Sequence, residues 1–294
     1  GEWIVEWLAP ASDVGDVIFS FSGLATGGNS GFGGDNVYTG SVQVSAADVI
    51  TAFQPESKQE LVTAVNLWVS DNVAALSTYG EINQWDVSLI SDMSDLFYNL
   101  NLFNEDISSW DVSNVTNMEY MFDGAENFNS DIGNWNVLNV SSMGSMFRGA
   151  ISFNQDISSW NVSSVVDIYD MFHGAASFNT DLSSWDVSNV MNMGDMFRGA
   201  ISFNQDISSW DVSNVLNMNS MFREATSFNQ DLSSWDVSSV TDMAGMFSNA
   251  IIFNQDISNW DVSNVADDGW DGIFDNTISL SDNNKCEIHT SFSS

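Results

Sequence analysis

Tryptophan recurs every 25 residues without slippage, at Trp85, Trp110, Trp135, Trp160, Trp185, Trp210, Trp235 and Trp260. A fixed period of that size means one supersecondary unit copied along the chain. A unit so short cannot bury its own apolar face, so the copies must stack and share a continuous core. The period also argues against an enzyme. Nearly every regular feature recurs in each copy, whereas a catalytic constellation occurs once.

One copy runs from Ile107 to Asp131. Trp110 and Val112 alternate with Asp111 and Ser113, which predicts a short strand with indole and valine facing inward. Met118, Met121, Phe122 and Ala125 fall at i, i+3, i+4 and i+7, the apolar face of a short helix. Phe128 then plugs the core, and Asn129 and Asp131 turn the chain into the next copy. The spacing Ile107-x-x-Trp110-x-Val112 matches the L-x-x-L-x-L core of leucine-rich repeats. The fold class expected is α/β: a right-handed, leucine-rich-repeat-like solenoid of about eight coils over residues 82–278.

The flanks predict three further segments. Residues 51–81 read as an N-terminal helical cap: Ser57 and Glu60 form a capping-box pattern, Leu61, Val62, Val65, Leu67, Trp68 and Val69 form an apolar stripe, and Gly80 is the stop. Residues 279–294 read as a C-terminal cap helix, cut short, behind the acidic insertion Asp267–Asp271. Residues 1–50 read as a small β-sandwich fragment. Its strands lie at Glu2–Trp7, Asp16–Phe21 and about Asn36–Val44, with a glycine-rich loop from Gly27 to Asp35. Three strands with one apolar face are a poor stand-alone domain, so either the chain is part of a longer protein or another chain supplies the missing strands.

Charge narrows the partners. Lys and Arg number 5 against 40 Asp and Glu, a formal charge of -35. That imbalance excludes nucleic acid, whose binders neutralise phosphates, and it disfavours anionic membrane surfaces. It suits an extracellular, cation-rich medium in which salt screens self-repulsion. The apolar content of the repeats excludes disorder. Cys286 is the only cysteine, so there is no intrachain disulfide framework, and no stretch has the length of a transmembrane helix.

With W-D-V-S-x-V, M-F-x-x-A and F-N-x-D added to the leucine-rich spacing, residues 53–292 resemble the BspA-type leucine-rich-repeat surface proteins. That resemblance implies a secreted or cell-surface protein that adheres to matrix proteins, cells or surfaces and has no catalytic role. The stretch from Trp3 to Pro10, with Gly15–Phe19 and Gly34–Thr39, is similar to the end of a reeler-like β-sandwich, a module of extracellular proteins.

Stacking turns each repeat position into a column, and four columns carry candidate sites. Asp186, Asp211, Asp236 and Asp261 would stand about 4.8 Å apart on an outward strand face. That row is either a series of weak, oxygen-ligated calcium sites or a solvated acidic face. Asn104 and its equivalents, each two residues before an Asp, read as turn builders. Arg148, His173, Arg198 and Arg223 share a column behind the Met-Phe pair. They either compensate neighbouring acids such as Asp170 and Asp195 or form a basic stripe that docks on an acidic surface, another copy included. Asn114, Asn139 and Asn161 open N-x-S/T sequons, which are glycosylation sites or chance products of an Asn- and Ser-rich repeat. His173 and His289 belong to no metal-spaced cluster, and the acidic segment Asp267–Asp275 lacks a base or oxyanion partner.

The function expected is therefore non-catalytic: adhesion or surface structure at the cell surface or outside the cell, through a repetitive acidic face. The expected partners are an extracellular protein, a glycan surface or other copies of the chain. The alternative is a filament subunit whose incomplete N-terminal strands are completed by a neighbour.

Overall fold

A computed structural model describes residues 17–25, 36–44 and 52–292. The chain divides into two units, Gly1–Thr51 and Ala52–Ser294. In the first, β1 (Val17–Ala25) pairs antiparallel with β2 (Asn36–Val44), in a register that sets Val17 opposite Val44 and Ala25 opposite Asn36. These two strands make the whole sheet, so no β-sandwich is present among the described residues. The strand expected at Glu2–Trp7 and the glycine-rich loop lie outside the described residues.

The second unit opens with α1 (Lys58–Ser70) and α2 (Asn72–Tyr79). Ser57 Oγ accepts the Glu60 amide at 3.3 Å, and the Glu60 carboxylate accepts the Glu56 amide at 2.9 Å. The expected single helix is broken at Asp71. Its amide closes α1 on the Leu67 carbonyl, while its carboxylate accepts from the Ala74 amide and starts α2. Trp68 and Phe53 pack edge-on against Trp85 of the first coil, at centroid distances of 5.8 and 5.3 Å.

From Trp85 to Ser281 the chain holds neither helix nor strand, which overturns the expected α/β leucine-rich-repeat class. It is a stack of turn-built coils. The amides of Met118, Tyr120, Phe122 and Gly124 donate not to their own turn but to Ser142, Gly144, Met146 and Arg148 of the following coil, at 2.8–3.0 Å. The interleaved amides of Met121, Asp123 and Ala125 reach back three residues, at 3.0–3.3 Å. Tyr120 and Gly124 are left-handed, with φ of 57° and 72°, which an α-helix excludes. The expected strand fails for a related reason. Trp110 and Val115 donate to Ile107 and Val112 of their own coil, so that segment curls into turns. Only isolated parallel bridges, such as Asn117 to Ser142, connect coils in strand-like fashion.

The inward pattern survives the change of secondary structure. Met118, Met121, Phe122, Ala125 and Phe128 are all fully buried. Phe122, Phe147, Phe172, Phe197 and Phe222 stack face to face at centroid spacings of 5.5–5.8 Å along the core. Each repeat indole from Trp110 to Trp260 donates to a carbonyl of the preceding coil, as Trp110 does to Ile82 at 2.8 Å. At the far end Phe274 stacks on Phe247 at 5.8 Å. Then α3 (Asp282–Phe292) follows, entered where the Ser281 amide donates to Asn254 Oδ1 at 2.8 Å.

Candidate functional site

The stack gives every repeat position a fixed chemical environment, and most of the polar columns are engaged in building it. Asp186 Oδ1 accepts the Ser188 amide at 3.1 Å and the Ser188 hydroxyl at 2.6 Å, and Asp211 is held the same way by Ser213. Asp236 and Asp261 accept the amides of Ser238 and Ser263 at 3.1 Å. These are Asx-type turns, not the outward face of a strand. The serine hydroxyl and amide hold the carboxyls of Asp186, Asp236 and Asp261 below the usual carboxylate range. Asn161 makes the same pair of bonds to Ser163, at 3.1 and 2.7 Å, so the position requires an acceptor and no charge. Among the described residues no group of three or more His, Cys, Asp or Glu gathers to hold a metal ion, and the four aspartates do not form one.

The asparagine column forms a ladder. Asn104 Oδ1 accepts the amide of Asn129, and the pattern repeats through Asn154, Asn179, Asn204 and Asn229 to Asn254, at 2.8–2.9 Å. The sequon asparagines divide by geometry. Asn114 and Asn139 direct Nδ2 to the Ser88 and Ser113 carbonyls of the preceding coil at 2.8 Å, whereas exposed Asn161 uses only Oδ1.

The basic column is the place where the repeat breaks down. His173 Nδ1 lies 2.8 Å from Asp170 Oδ1, and Arg198 Nη1 lies 3.2 Å from Asp195 Oδ1. Arg148 sits 4.0 Å from both Asp123 and Asp170. Arg223 Nε approaches Glu224 at 3.5 Å without hydrogen-bond geometry, and it has no hydrogen-bond partner. The bases therefore face acids of their own or the adjacent coil, and three of those acids, Asp123, Asp170 and Asp195, are buried.

At the N-terminal end of this column Tyr98, Asn99, Asp123, Arg148, Gly149, His173 and Gly174 line a cavity of about 320 Å³. Sequence reasoning singled out Arg148 and His173 here but missed Tyr98, Asn99 and the burial of Asp123. The available signal was irregularity, because Tyr98, Asp123, Arg148 and His173 occupy one column in four successive coils with four different side chains.

Such an array, with its regular polar groups engaged between coils, defines a tandem-repeat protein whose surface is displayed by a stacked aromatic core. It belongs to the family described as Mycoplasma protein of unknown function, DUF285, which matches residues 68–185 and 170–285. No curated protein and no solved structure matches the chain. No described helix is long and apolar enough to cross a membrane.

Proposed function

We propose that this is a non-catalytic cell-surface or extracellular protein mediating adhesion or surface structure, as its resemblance to BspA-type surface proteins implies. One observation carries the reading: the recurring polar groups are tied into turns and inter-coil bonds, leaving a long, regular, acidic face for display. A charge of -35 keeps such a surface solvated and directs it toward basic or neutral partners. The test has two arms. Antibody labelling and protease shaving of intact producing cells should find the chain outside. Immobilised protein should then retain matrix proteins or cells in a salt-dependent manner. An exclusively internal location, or no retention above an acidic control protein, would remove the reading.

A filament subunit is the second reading, favoured by the β1–β2 pair. Among the described residues the sheet has two strands, a pair that is marginal alone, and strand addition from a neighbour would extend it with main-chain hydrogen bonds. Negative-stain images of the purified chain showing fibres with a regular axial repeat would select it, and dispersed particles would exclude it.

A further inference from the structure

We propose that the cleft lined by Tyr98, Asn99, Asp123, Arg148 and His173 binds a neutral saccharide. The inference deepens the adhesive reading by giving it a ligand class and an address. Columns that build the fold repeat their side chain, as the Trp, Asn104 and Ala125 columns do. The Tyr98–Asp123–Arg148–His173 column changes residue in each of these coils.

The cleft is open to solvent and has room for a small ligand. Its volume of about 320 Å³ falls in the range of small-molecule pockets. Gly149 and Gly174 line it, left-handed at φ 65° and 71°, so that part of the lining is bare main chain. Gly124 is left-handed as well, at φ 72°, and a Cβ there would overlap Asn99 Oδ1, so glycine also leaves room for the Asn99 amide. Tyr98 is half-exposed, at 49%, and offers an aromatic face at the edge.

The polar groups are mixed and incompletely engaged. Asp123 is only 9% exposed, yet its carboxylate meets Arg148 at 4.0 Å and receives no hydrogen bond among the described residues. Its oxygens keep contact with solvent through the cleft, so a ligand hydroxyl can take the place of water there. Burial pushes its carboxyl above the ordinary value, against the pull of Arg148. Arg148 supplies donors, Asn99 supplies both a donor and an acceptor, and the His173 ring completes the wall. Sugar hydroxyls donate and accept at once, which suits Asp123 and Arg148 side by side. Apolar C–H faces of a sugar suit the negative face of the Tyr98 ring. An anionic ligand would oppose the field of a chain carrying -35, and a cationic one would meet the Arg148 guanidinium.

The full chain is titrated with lactose, cellobiose and diacetylchitobiose by calorimetry and saturation-transfer NMR, with sialyllactose and a heparan disaccharide as anionic counterparts. At least one neutral disaccharide should bind. Asp123→Asn and Tyr98→Ala should each weaken it at least fivefold with the melting curve retained. Tyr98 lies at the surface, so its variant decides alone if Asp123→Asn does not fold. No binding of any neutral disaccharide, a stronger response to the anionic pair, or a loss below fivefold in a folded variant would overturn the proposal. Failure here is separable from failure of the adhesive reading. Adhesion that persists without sugar binding removes only the cleft, and sugar binding without surface exposure removes only the adhesive role.

Discussion

The indole nitrogen of Trp185 donates to the main-chain oxygen of Ile157, 28 residues earlier, at 3.1 Å. That oxygen also accepts the Trp160 amide at 3.1 Å, so the indole satisfies its second lone pair inside the core. Tryptophan is thus both filler and rivet between coils. Trp185→Phe should cost about 2–3 kcal/mol, combining lost volume with a buried carbonyl left short of a partner. Trp85→Phe should cost less, because its nitrogen reaches the half-buried Gly80 carbonyl at 3.3 Å. Urea midpoints of the two variants decide this, and equal midpoints would reduce the indole to a filler.

Gly174 has φ of 71°, and a Cβ there would meet only Gly149 at 3.8 Å, an ordinary contact. Gly174→Ala should therefore lose about 1–2 kcal/mol from backbone strain alone. Gly174→Asn should lose less, since Asn99 and Asn249 hold the same left-handed position at φ 57° and 59°. A thermal melt that ranks the alanine variant level with wild type would show that the backbone relaxes.

These left-handed residues explain what the sequence concealed. The period, the coil boundaries and the buried set of Met118, Met121, Phe122 and Ala125 were legible, because burial sets those side chains whatever the hydrogen bonding. The secondary structure was not. The same i, i+3, i+4, i+7 spacing is produced by a helix and by these turns, and one of the two left-handed positions is occupied in four successive coils by Tyr120, Ser145, Asp170 and Asp195, with glycine there only at Gly245. The left-handed φ values and the inter-coil amide bonds distinguish the two, and those bonds join residues 24 apart, such as Met118 and Ser142. The cleft was half legible for the same reason. Asp123 reads like any acidic residue until the stack buries it.

Acid should destabilise the stack. Hydrogen bonds from the serine hydroxyl and amide two residues on lower the carboxyls of Asp111, Asp156, Asp186, Asp206 and Asp236. A depressed folded value gives stability that is full above the unfolded value of about 3.9 and is lost as pH falls through the folded one. Asp123, raised by burial, acts in the opposite sense, but it is a single group. Relief of charge repulsion also opposes the trend, so the measurement belongs at about 1 M salt, where the Debye length is about 3 Å. The melting temperature should hold from pH 7 to about 5 and fall below about 4. Replacing Ser113, Ser158, Ser188, Ser208 and Ser238 by Ala should flatten that acid limb. An unchanged slope would assign the acid response to other groups.

Calcium should leave stability unmoved. Each aspartate of the Asp186–Asp261 column already directs Oδ1 at its own serine, and Asn161 shows that an uncharged amide does the same work. Asp186, Asp211, Asp236 and Asp261 changed together to Asn should therefore keep the fold, lose only the stability that the charged acceptor adds, and show a shallower acid limb. Neither protein should respond to calcium at about 1 mM, the range of weak extracellular sites. An upward shift confined to wild type would restore the metal reading.

Damage to the core should stay local before it spreads. Phe172 lies between Phe147 and Phe197 at 5.7 and 5.8 Å and rests on Phe178 at 3.9 Å, fully buried. Phe172→Ala should remove about 3–5 kcal/mol at that coil. Stability in a stacked array is a sum of coil and neighbour-interface terms, so a central gap weakens two interfaces at once while distant coils keep theirs. Hydrogen exchange should therefore show lost protection centred on the amides of Phe147 and Phe172, which donate to Met171 and Met196, with the Phe222 amide near its native protection. Uniform loss along the whole stack would instead mean that the coils unfold as one cooperative block, and the array would then act as a rigid body along its length.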